Sequence, residues 1–251
     1  MSENVVHLRE PTRGLTESLR LDSNGLLRSL SSADLALLEA HLVPAPFANG
    51  DMIARAGEPI EHVCFLLQGI AGVLDALEGD RRYAVGLVGA EGFLGWPALL
   101  GDDRWPNDLV MRAEHGQALR MPAATLLAAV DTSPTLRQAL LRFANVFMIQ
   151  MSRTIVSSLA HPIERRMARW ILLYHDRVRG DEICMTHEEF RLMLGVRRSS
   201  VTDALHRLEE DGAICAKRGR VCVRDRAGLM LLAGDTYGHA EAEYARLVGA
   251  T

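Results

Sequence analysis

Residues 186–223 read THEEFRLMLGVRRSSVTDALHRLEEDGAICAKRGRVCV, and their pattern predicts the fold of the C-terminal part of the chain. Thr186, followed three residues later by Glu189, forms the pattern of a capping box, which begins a helix. Gly195 supplies a tight turn, and a second helical stretch follows with apolar residues spaced by four and three: Val201, Leu205 and Leu208. Two short helices joined by a glycine turn are typical of a helix-turn-helix unit.

The face of the second helix opposite its apolar stripe carries small and polar side chains. A wheel of about 100° per residue places Ser199, Asp203, His206 and Glu210 on this face. A polar face entered by two arginines suits insertion into the major groove of DNA. The predicted DNA contacts of this unit are Thr186, Arg197, Arg198, Ser199, Ser200, Thr202, Asp203, His206 and Arg207.

Residues 214–223 alternate apolar and polar side chains on both sides of a basic turn at Gly219, which predicts a β-hairpin. A hairpin in this position is the wing of a winged helix-turn-helix, and its tip carries Lys217, Arg218 and Arg220. We expect these three cations to contact phosphates. A solvated surface charge is the alternative for each arginine alone, but cap, turn, periodic helix and basic hairpin together favour DNA binding.

The charge distribution agrees with one DNA-binding module in an otherwise acidic chain. The whole sequence has a formal net charge of −4, but residues 161–226 carry +3 between segments of −5 (1–160) and −2 (227–251). The sequence contains no G-x-S-x-G, Walker or H-E-x-x-H motif, so we do not expect an enzyme.

Four scattered cysteines show no metal-ligand spacing, which predicts idle thiols in a reducing cytosol and no metal site. No apolar run has the length of a membrane span, and no signal-peptide pattern is found, so we expect a cytoplasmic protein with no membrane partner.

The N-terminal half shows a different periodicity. Turn signals recur about every ten residues between short β-prone runs, which predicts an antiparallel sandwich or barrel. From Pro134 to Pro162 neither glycine nor proline interrupts, so one helix of about seven turns is expected there. This helix either packs only on its own barrel or also pairs with a second copy. The predicted dimer contacts are Leu136, Leu140, Phe143, Phe147, Met151 and Ile155.

These patterns predict an α+β chain with an antiparallel, jelly-roll-like β-roll, a long dimerisation helix and a C-terminal winged helix-turn-helix. The expected limits are a mobile tail (1–22), the β-roll sensor (23–130), the long helix (131–160), the DNA-binding domain (161–233) and a C-terminal extension (234–251). Within the extension we expect a short helix around residues 241–247.

The chain resembles the Crp/Fnr family of transcription regulators over about residues 25–230. The motifs that carry the resemblance are Gly57-Glu58-Pro59, Phe65-Leu66 with Gly69, Glu91-Gly92-Phe93-Leu94-Gly95, Pro162-Ile163-Glu164-Arg165-Arg166, and residues 186–214 with the hairpin. The resemblance implies a cyclic-nucleotide-binding-like β-roll, a homodimer, a palindromic DNA operator and contact with RNA polymerase. It also implies a base or phosphate contact for Arg198 and phosphate contacts for Ser200 and Thr186.

Two departures from the family bear on specificity. Ser199 and Asp203 replace the glutamate and second arginine of family members that read the common half-site, so we expect a different DNA sequence. In the sensor, Asn107 and Asp108 fall where an Arg-Ser/Thr pair would hold a cyclic phosphate. Arg104 or Arg112 is the alternative anion ligand.

The predicted effector residues are Glu91, Gly92, Phe93, Gly95, Arg104, Asn107, Asp108 and Arg112. A cyclic nucleotide is disfavoured by the missing pair, while an iron–sulfur cluster and haem are not expected. Two hypotheses remain open: control by an unidentified small molecule at the β-roll, and an effector-independent regulator whose β-roll is only a scaffold for dimerisation and protein contacts.

Overall fold

A computed structural model describes residues 21–77, 81–112 and 115–249. The predicted tail falls almost wholly outside these residues. Glu78-Gly79-Asp80, which is one of the recurring turn signals in the sequence, also lies outside them. The described chain divides into two compact units, one formed by residues 21–71 with 88–142 and the other by residues 72–87 with 143–249. Residues 72–87 thus cluster with the C-terminal part, although the predicted domain limits place them in the β-roll.

The helices and strands of the described residues follow in chain order, with short 3-10 turns at Leu21–Ser23 and Gly234–Thr236. They are α1 (Gly25–Arg28), α2 (Ser32–Glu39), β1 (Val43–Ala48), β2 (Met52–Ala54), β3 (His62–Gln68), β4 (Ala71–Leu77), β5 (Arg81–Val88), β6 (Phe93–Leu94), α3 (Trp96–Leu99), β7 (Asp108–Met111), β8 (His115–Pro122), α4 (Ala123–Thr132), α5 (Pro134–Ala160), α6 (Ile163–His175), β9 (Glu182–Cys184), α7 (His187–Leu194), α8 (Arg198–Glu210), β10 (Ile214–Lys217), β11 (Arg220–Val223), α9 (Arg226–Ala233) and α10 (His239–Leu247).

The first unit is built on an antiparallel sheet with the strand order β1-β8-β3-β6. In this sheet Phe65 of β3 pairs with Leu119 on one side and Phe93 on the other. The rings of Phe65 and Phe93 stack with their centroids 5.5 Å apart, and both side chains are fully buried. A separate antiparallel pair joins β2 to β7. The predicted antiparallel N-terminal domain is therefore confirmed.

A buried carboxylate fixes the start of the long helix in this unit. Asp34 of α2 is 5% exposed and accepts hydrogen bonds from Ser133 Oγ (2.5 Å), Ser31 Oγ (2.8 Å) and Thr135 Oγ1 (2.9 Å). The bond from Ser133 makes the largest contribution to a lowered pKa of Asp34, and those from Ser31 and Thr135 add to it against the opposing effect of burial. The carboxylate thus ties the beginning of α2 to the beginning of α5.

The predicted long helix is confirmed as α5, which has 27 residues. Within the second unit its buried side packs closely on β5. A Cβ at Gly86 would lie 2.7 Å from the Phe147 ring, so only glycine permits this approach. The side chain of Gln150 accepts a hydrogen bond of 2.8 Å from the backbone N–H of Leu87. The opposite face of α5 exposes large apolar side chains: Met148, Ile155, Val156 and Leu159.

The remainder of the second unit is the expected winged helix-turn-helix, with α6 at its centre. Residues 167–174 of α6 are all buried, and a three-stranded sheet of order β10-β11-β9 lies in the same unit. The helix expected near the C-terminus is present as α10. Its Tyr244 is buried, and Tyr237 before it donates to Asp176 (2.9 Å) and accepts from Arg226 (2.7 Å). Residues 234–247 therefore belong to the same compact unit as the DNA-binding helices.

Candidate nucleic-acid interface

The first helix of the DNA-binding unit begins at the predicted capping box. Thr186 Oγ1 accepts from the backbone N–H of Glu189 (3.2 Å), and the Glu189 carboxylate accepts from the backbone N–H of Thr186 (2.6 Å). The backbone N–H of Thr186 is therefore occupied. For the predicted phosphate contact of Thr186, the hydroxyl proton therefore remains as the donor, and the backbone N–H does not.

The turn between α7 and α8 requires glycine and is held from two sides. Gly195 adopts φ +65°, a left-handed conformation that side chains other than glycine tolerate poorly. The guanidinium of Arg166 on α6 donates to the carbonyl of Leu194. The ring of Tyr83 on β5 lies close enough that a Cβ at Gly195 would approach it to 3.1 Å. These contacts fix the angle at which α8 leaves the turn.

The second helix presents the expected two faces. It begins at Arg198 with Arg197 as its N-cap, and its inner face buries the three predicted apolar residues together with Ala204. Ser199, Asp203 and His206 are exposed, whereas Ser200 and Thr202 are partly exposed. The Thr202 hydroxyl donates to the carbonyl of Arg198 at 3.2 Å. The outward stripe is thus available to a groove along its length.

The predicted wing is confirmed as the antiparallel pair of β10 and β11, in which Lys217 pairs with Arg220 across the turn. Gly219 has φ +73°, as a tight two-residue turn demands. Its carbonyl accepts a hydrogen bond of 3.0 Å from the backbone N–H of Met185, one residue before Thr186. The hairpin tip therefore lies beside the N-terminal end of the helix-turn-helix.

The basic residues of this unit fall into two electrostatic groups. Arg207 forms an ion pair with Glu164 of α6, and Arg220 forms one with Glu182 of β9. Of the arginines and the lysine predicted to contact DNA, four are exposed and make no side-chain hydrogen bond or ion pair with the described residues: Arg197, Arg198, Lys217 and Arg218. Only a cation without a carboxylate partner gives its full charge to a phosphate, so these four define what we call the free basic face.

The residues predicted for effector binding all lie in the first unit, where two acidic ones are already engaged. The Glu91 carboxylate accepts from the backbone N–H of Gly89 (3.1 Å). Asp108 is 7% exposed and accepts from the backbone N–H of Ala56 (3.0 Å). Arg104 is exposed and donates to the carbonyl of Gly57 (2.7 Å). The remaining predicted residues are buried (Gly92, Phe93 and Gly95) or partly exposed (Asn107 and Arg112).

Four of the six residues predicted as dimer contacts are buried inside their own chain. They are Leu136, Leu140, Phe143 and Phe147, none more than 3% exposed. A second copy cannot reach these side chains, because the chain's own packing already covers them. Met151 is partly exposed and Ile155 is 60% exposed, so both remain open to a partner.

Sequence reasoning missed the residues that hold the recognition turn from outside it. Arg166 and Tyr83 lie 28 and more than 100 residues from the turn along the chain. Arg166 stands in a motif that carried the family resemblance, but nothing in its local pattern indicates that it bonds Leu194. Burial lowers the pKa of Arg166.

No helix in the described part of the chain has both the length and the apolar character needed to cross a membrane. Across the same residues, no group of three or more His, Cys, Asp and Glu side chains is arranged to hold a metal ion.

Comparison with known proteins agrees with both halves of this description. Residues 44–133 match the model of a cyclic nucleotide-binding domain, and residues 165–232 match that of a Crp-like helix-turn-helix domain. The transcriptional activator protein FnrL of Cereibacter sphaeroides is 27% identical over 219 residues, which cover 81% of this chain and 86% of that protein.

Solved structures show the same fold. A CRP-family transcriptional regulator from Thermus thermophilus has a TM-score of 0.63 and 22% identity, covering 76% of this chain and 96% of its own. FixK2 from Bradyrhizobium japonicum has a TM-score of 0.68 and 15% identity, and the match covers 77% of this chain and 98% of the FixK2 chain.

A winged helix-turn-helix with a free basic face, joined to a cyclic-nucleotide-binding-like sheet domain, defines a DNA-binding transcription regulator. The chain belongs to the Crp/Fnr family of such regulators. The predicted family is therefore confirmed.

Proposed function

We propose that the protein acts as a homodimer that binds a palindromic DNA operator through the free basic face and the outward side of α8. The observation that carries this proposal is the separation of cations in the DNA-binding unit. Arg197, Arg198, Lys217 and Arg218 are exposed and unpaired among the described residues, whereas Arg207 and Arg220 are neutralised by carboxylates. Unpaired cations at the helix entrance and at the wing are placed to contact the phosphates that border one major groove.

The dimer contact is proposed on the exposed face of α5. Met148, Ile155 and Leu159 are 44%, 60% and 84% exposed. At 100° per residue these side chains lie within about 40° of each other, which is the narrow stripe of a coiled-coil seam. A single chain leaves this stripe in water, so pairing with a second copy would bury it. Binding to successive major grooves requires the two copies of α8 to lie about 34 Å apart, and we propose that the pairing of α5 provides this separation.

The base contacts are proposed for the exposed stripe of α8. Arg198 at its start is suited to a guanine, whose O6 and N7 accept two hydrogen bonds from one guanidinium. Asp203, one turn and a half further on, has no positive partner among the described residues. A carboxylate in a groove accepts from a cytosine amine. We therefore propose an operator in which each half-site contains a cytosine opposite Asp203, distinct from the common half-site of the family.

The test is selection of bound duplexes from a random pool, followed by titration of the selected duplex with single variants. Arg198→Ala should lose at least tenfold in affinity and relax the preference at one position, since a bidentate contact with a base contributes about 1–3 kcal/mol. Arg207→Ala is the matched control on the same helix, because its charge is already paired, and should change affinity less than threefold. Equal losses in the two variants, or no enriched duplex, would contradict the proposal.

Two hypotheses for the β-roll remain open: control by a bound small molecule, and an effector-independent scaffold. We propose that any effector of this domain is something other than a cyclic nucleotide. The Asp108 carboxylate is buried where a cyclic phosphate would need a cation and a hydroxyl, so a bound phosphate would face a negative charge.

The engagement of Glu91 and Asp108 with backbone N–H groups favours the second mode, an effector-independent regulator whose β-roll is a scaffold. Thermal shift with a panel of nucleotides and other metabolites separates the two modes. A rise in Tm at saturating ligand, together with a change in DNA affinity, would support the first.

A further inference from the structure

Arg169 in the middle of α6 is a buried cation that no carboxylate of the described residues pairs within ion-pair distance. Its side chain is 2% exposed, and its bonds go to two backbone carbonyls. Nε donates to Thr236 (2.9 Å), and Nη2 donates to Gln150 (3.1 Å). Nη1 is buried without a hydrogen-bond partner in the part of the chain that the structure describes. Burial is the main cause that lowers the pKa of Arg169, to about 10, so the group still carries its charge at neutral pH.

Packing alone does not explain such a residue. A buried charge with one unpaired donor destabilises a fold relative to an apolar side chain of similar size, and buried ionic groups are best attested as devices that fix one arrangement. The positions of the two carbonyls indicate which arrangement this is. Gln150 lies on the long helix α5, and Thr236 ends the 3-10 turn that leads to α10. The guanidinium therefore joins α5, α6 and the C-terminal segment at one point.

Gln150 extends this connection to β5. Its side-chain Oε1 accepts the backbone N–H of Leu87 on β5, while its carbonyl accepts Arg169. The same carbonyl also accepts the Thr154 hydroxyl at 3.1 Å. β5, α5 and α6 thus meet at a single residue. A shift of α6 against α5 would break the bond from Arg169 Nη2 to the Gln150 carbonyl and leave a second guanidinium nitrogen without a partner in the interior.

We propose that Arg169 is a positioning residue, which holds the DNA-binding unit in one disposition against the long helix with the C-terminal segment 234–247 as the third member of the contact. This inference rests on the proposed dimer, in which α5 relates the two copies. A fixed angle between α5 and α6 in each copy then fixes the separation of the two recognition helices. Arg169 acts on DNA affinity through that separation and has no contact with DNA itself.

The test compares a full palindrome, the same palindrome with its half-sites moved apart by one and two base pairs, and a single half-site. The variant is Arg169→Met, which keeps an unbranched apolar stem and removes the charge and the donors. Arg165→Met is the matched control, because Arg165 also lies on α6 and bonds the C-terminal segment at Ala233 and Asp235, but none of these bonds reaches α5. Arg169→Lys retains the charge with a single donor nitrogen. It is measured beside Arg169→Met and replaces that variant in the comparison if Arg169→Met does not fold.

We expect Arg169→Met to bind the full palindrome at least tenfold more weakly than the wild type, to bind the half-site within twofold, and to discriminate less between spacings. The palindrome affinity of Arg169→Lys should lie between those of the wild type and Arg169→Met. Arg165→Met should keep the wild-type preference for spacing. Equal losses of affinity for the half-site and the palindrome in Arg169→Met would show a purely structural role and overturn the inference. Unchanged discrimination between half-site spacings in that variant would overturn it as well. Failure of the wild type to bind any duplex would instead refute the proposed function.

Discussion

The wing offers a direct test of the electrostatic argument, since it carries two free cations and one cation that is paired with a carboxylate. Lys217 and Arg218 are exposed and unpaired among the described residues, whereas Arg220 pairs with Glu182. We predict that the double variant Lys217→Ala/Arg218→Ala weakens the salt dependence of DNA binding strongly. Arg220→Ala is the control and should weaken it much less.

The magnitude follows from counterion release. Two lost phosphate contacts in each copy remove about four contacts from a dimer, and at about 0.9 per contact the slope of log K against log salt falls in magnitude by about 3.6. Between 50 and 200 mM salt the difference in affinity between wild type and double variant should then narrow by roughly a hundredfold. Arg220 contributes less because its charge is compensated by Glu182 before DNA arrives.

The assay is fluorescence anisotropy of a labelled duplex, titrated at four salt concentrations for the wild type, the double variant and Arg220→Ala. Preference between operator and unrelated DNA should stay nearly constant in the double variant, because phosphate contacts carry no sequence information. Equal slopes for wild type and double variant would refute the assignment of the wing to phosphates. A slope change for Arg220→Ala as large as half that of the double variant would refute the distinction between free and paired cations.

Three further predictions concern the seam, the buried carboxylate and the recognition turn. Ile155→Glu should convert dimers to monomers, as measured by analytical ultracentrifugation. Leu231→Glu is the control, because Leu231 is 85% exposed and lies outside the seam, and it should leave the dimers intact. Persistent dimers in Ile155→Glu would place the interface elsewhere. Asp34→Asn should lower the free energy of unfolding by about 2–4 kcal/mol near neutral pH, since a buried acceptor of three hydroxyls loses its charge. Because the folded-state pKa of Asp34 is lowered, its stabilising effect is fully present above the unfolded pKa of about 3.9 and is lost as the pH falls through the lowered folded-state pKa. In urea unfolding, the free energies of unfolding of the wild type and Asp34→Asn should therefore converge only in acid. Convergence of these free energies near pH 6 would contradict this assignment. Gly195→Ala should lower the free energy of unfolding by about 1–2 kcal/mol because of the left-handed backbone at this position, and crowding against Tyr83 should lower it further. Adding Tyr83→Ala should therefore recover only part of the lost Tm. Full recovery of the Tm would show that backbone strain is negligible.

Local sequence signals predicted the DNA-binding unit almost element by element. The capping box, the glycine turn, the α8 stripe and the hairpin each depend on residues within a few positions of one another, and each appears in the structure where the pattern placed it. The same holds for α5, whose length follows from an uninterrupted run between Pro134 and Pro162. Helices and turns depend on residues a few positions apart, so periodicity and turn chemistry indicate them from the sequence.

Tertiary structure alone decided which side of α5 is free and which cations are available. The stripe from Leu136 to Phe147 is apolar enough for a dimer seam, yet the chain's own packing buries it and leaves the stripe around Ile155 exposed. A helical wheel shows that a face is apolar, but it does not show what covers that face.

The availability of the arginines follows the same logic. Arg207 and Arg220 find carboxylates 43 and 38 residues away, and Arg169 finds a carbonyl 67 residues away. Local patterns in the sequence were enough to predict a DNA-reading helix and a basic wing. Which charges reach the DNA, and what holds that helix in place, depend on long-range approaches that the folded chain alone defines, because Coulomb and hydrogen-bond energies depend on distance in space and not along the chain.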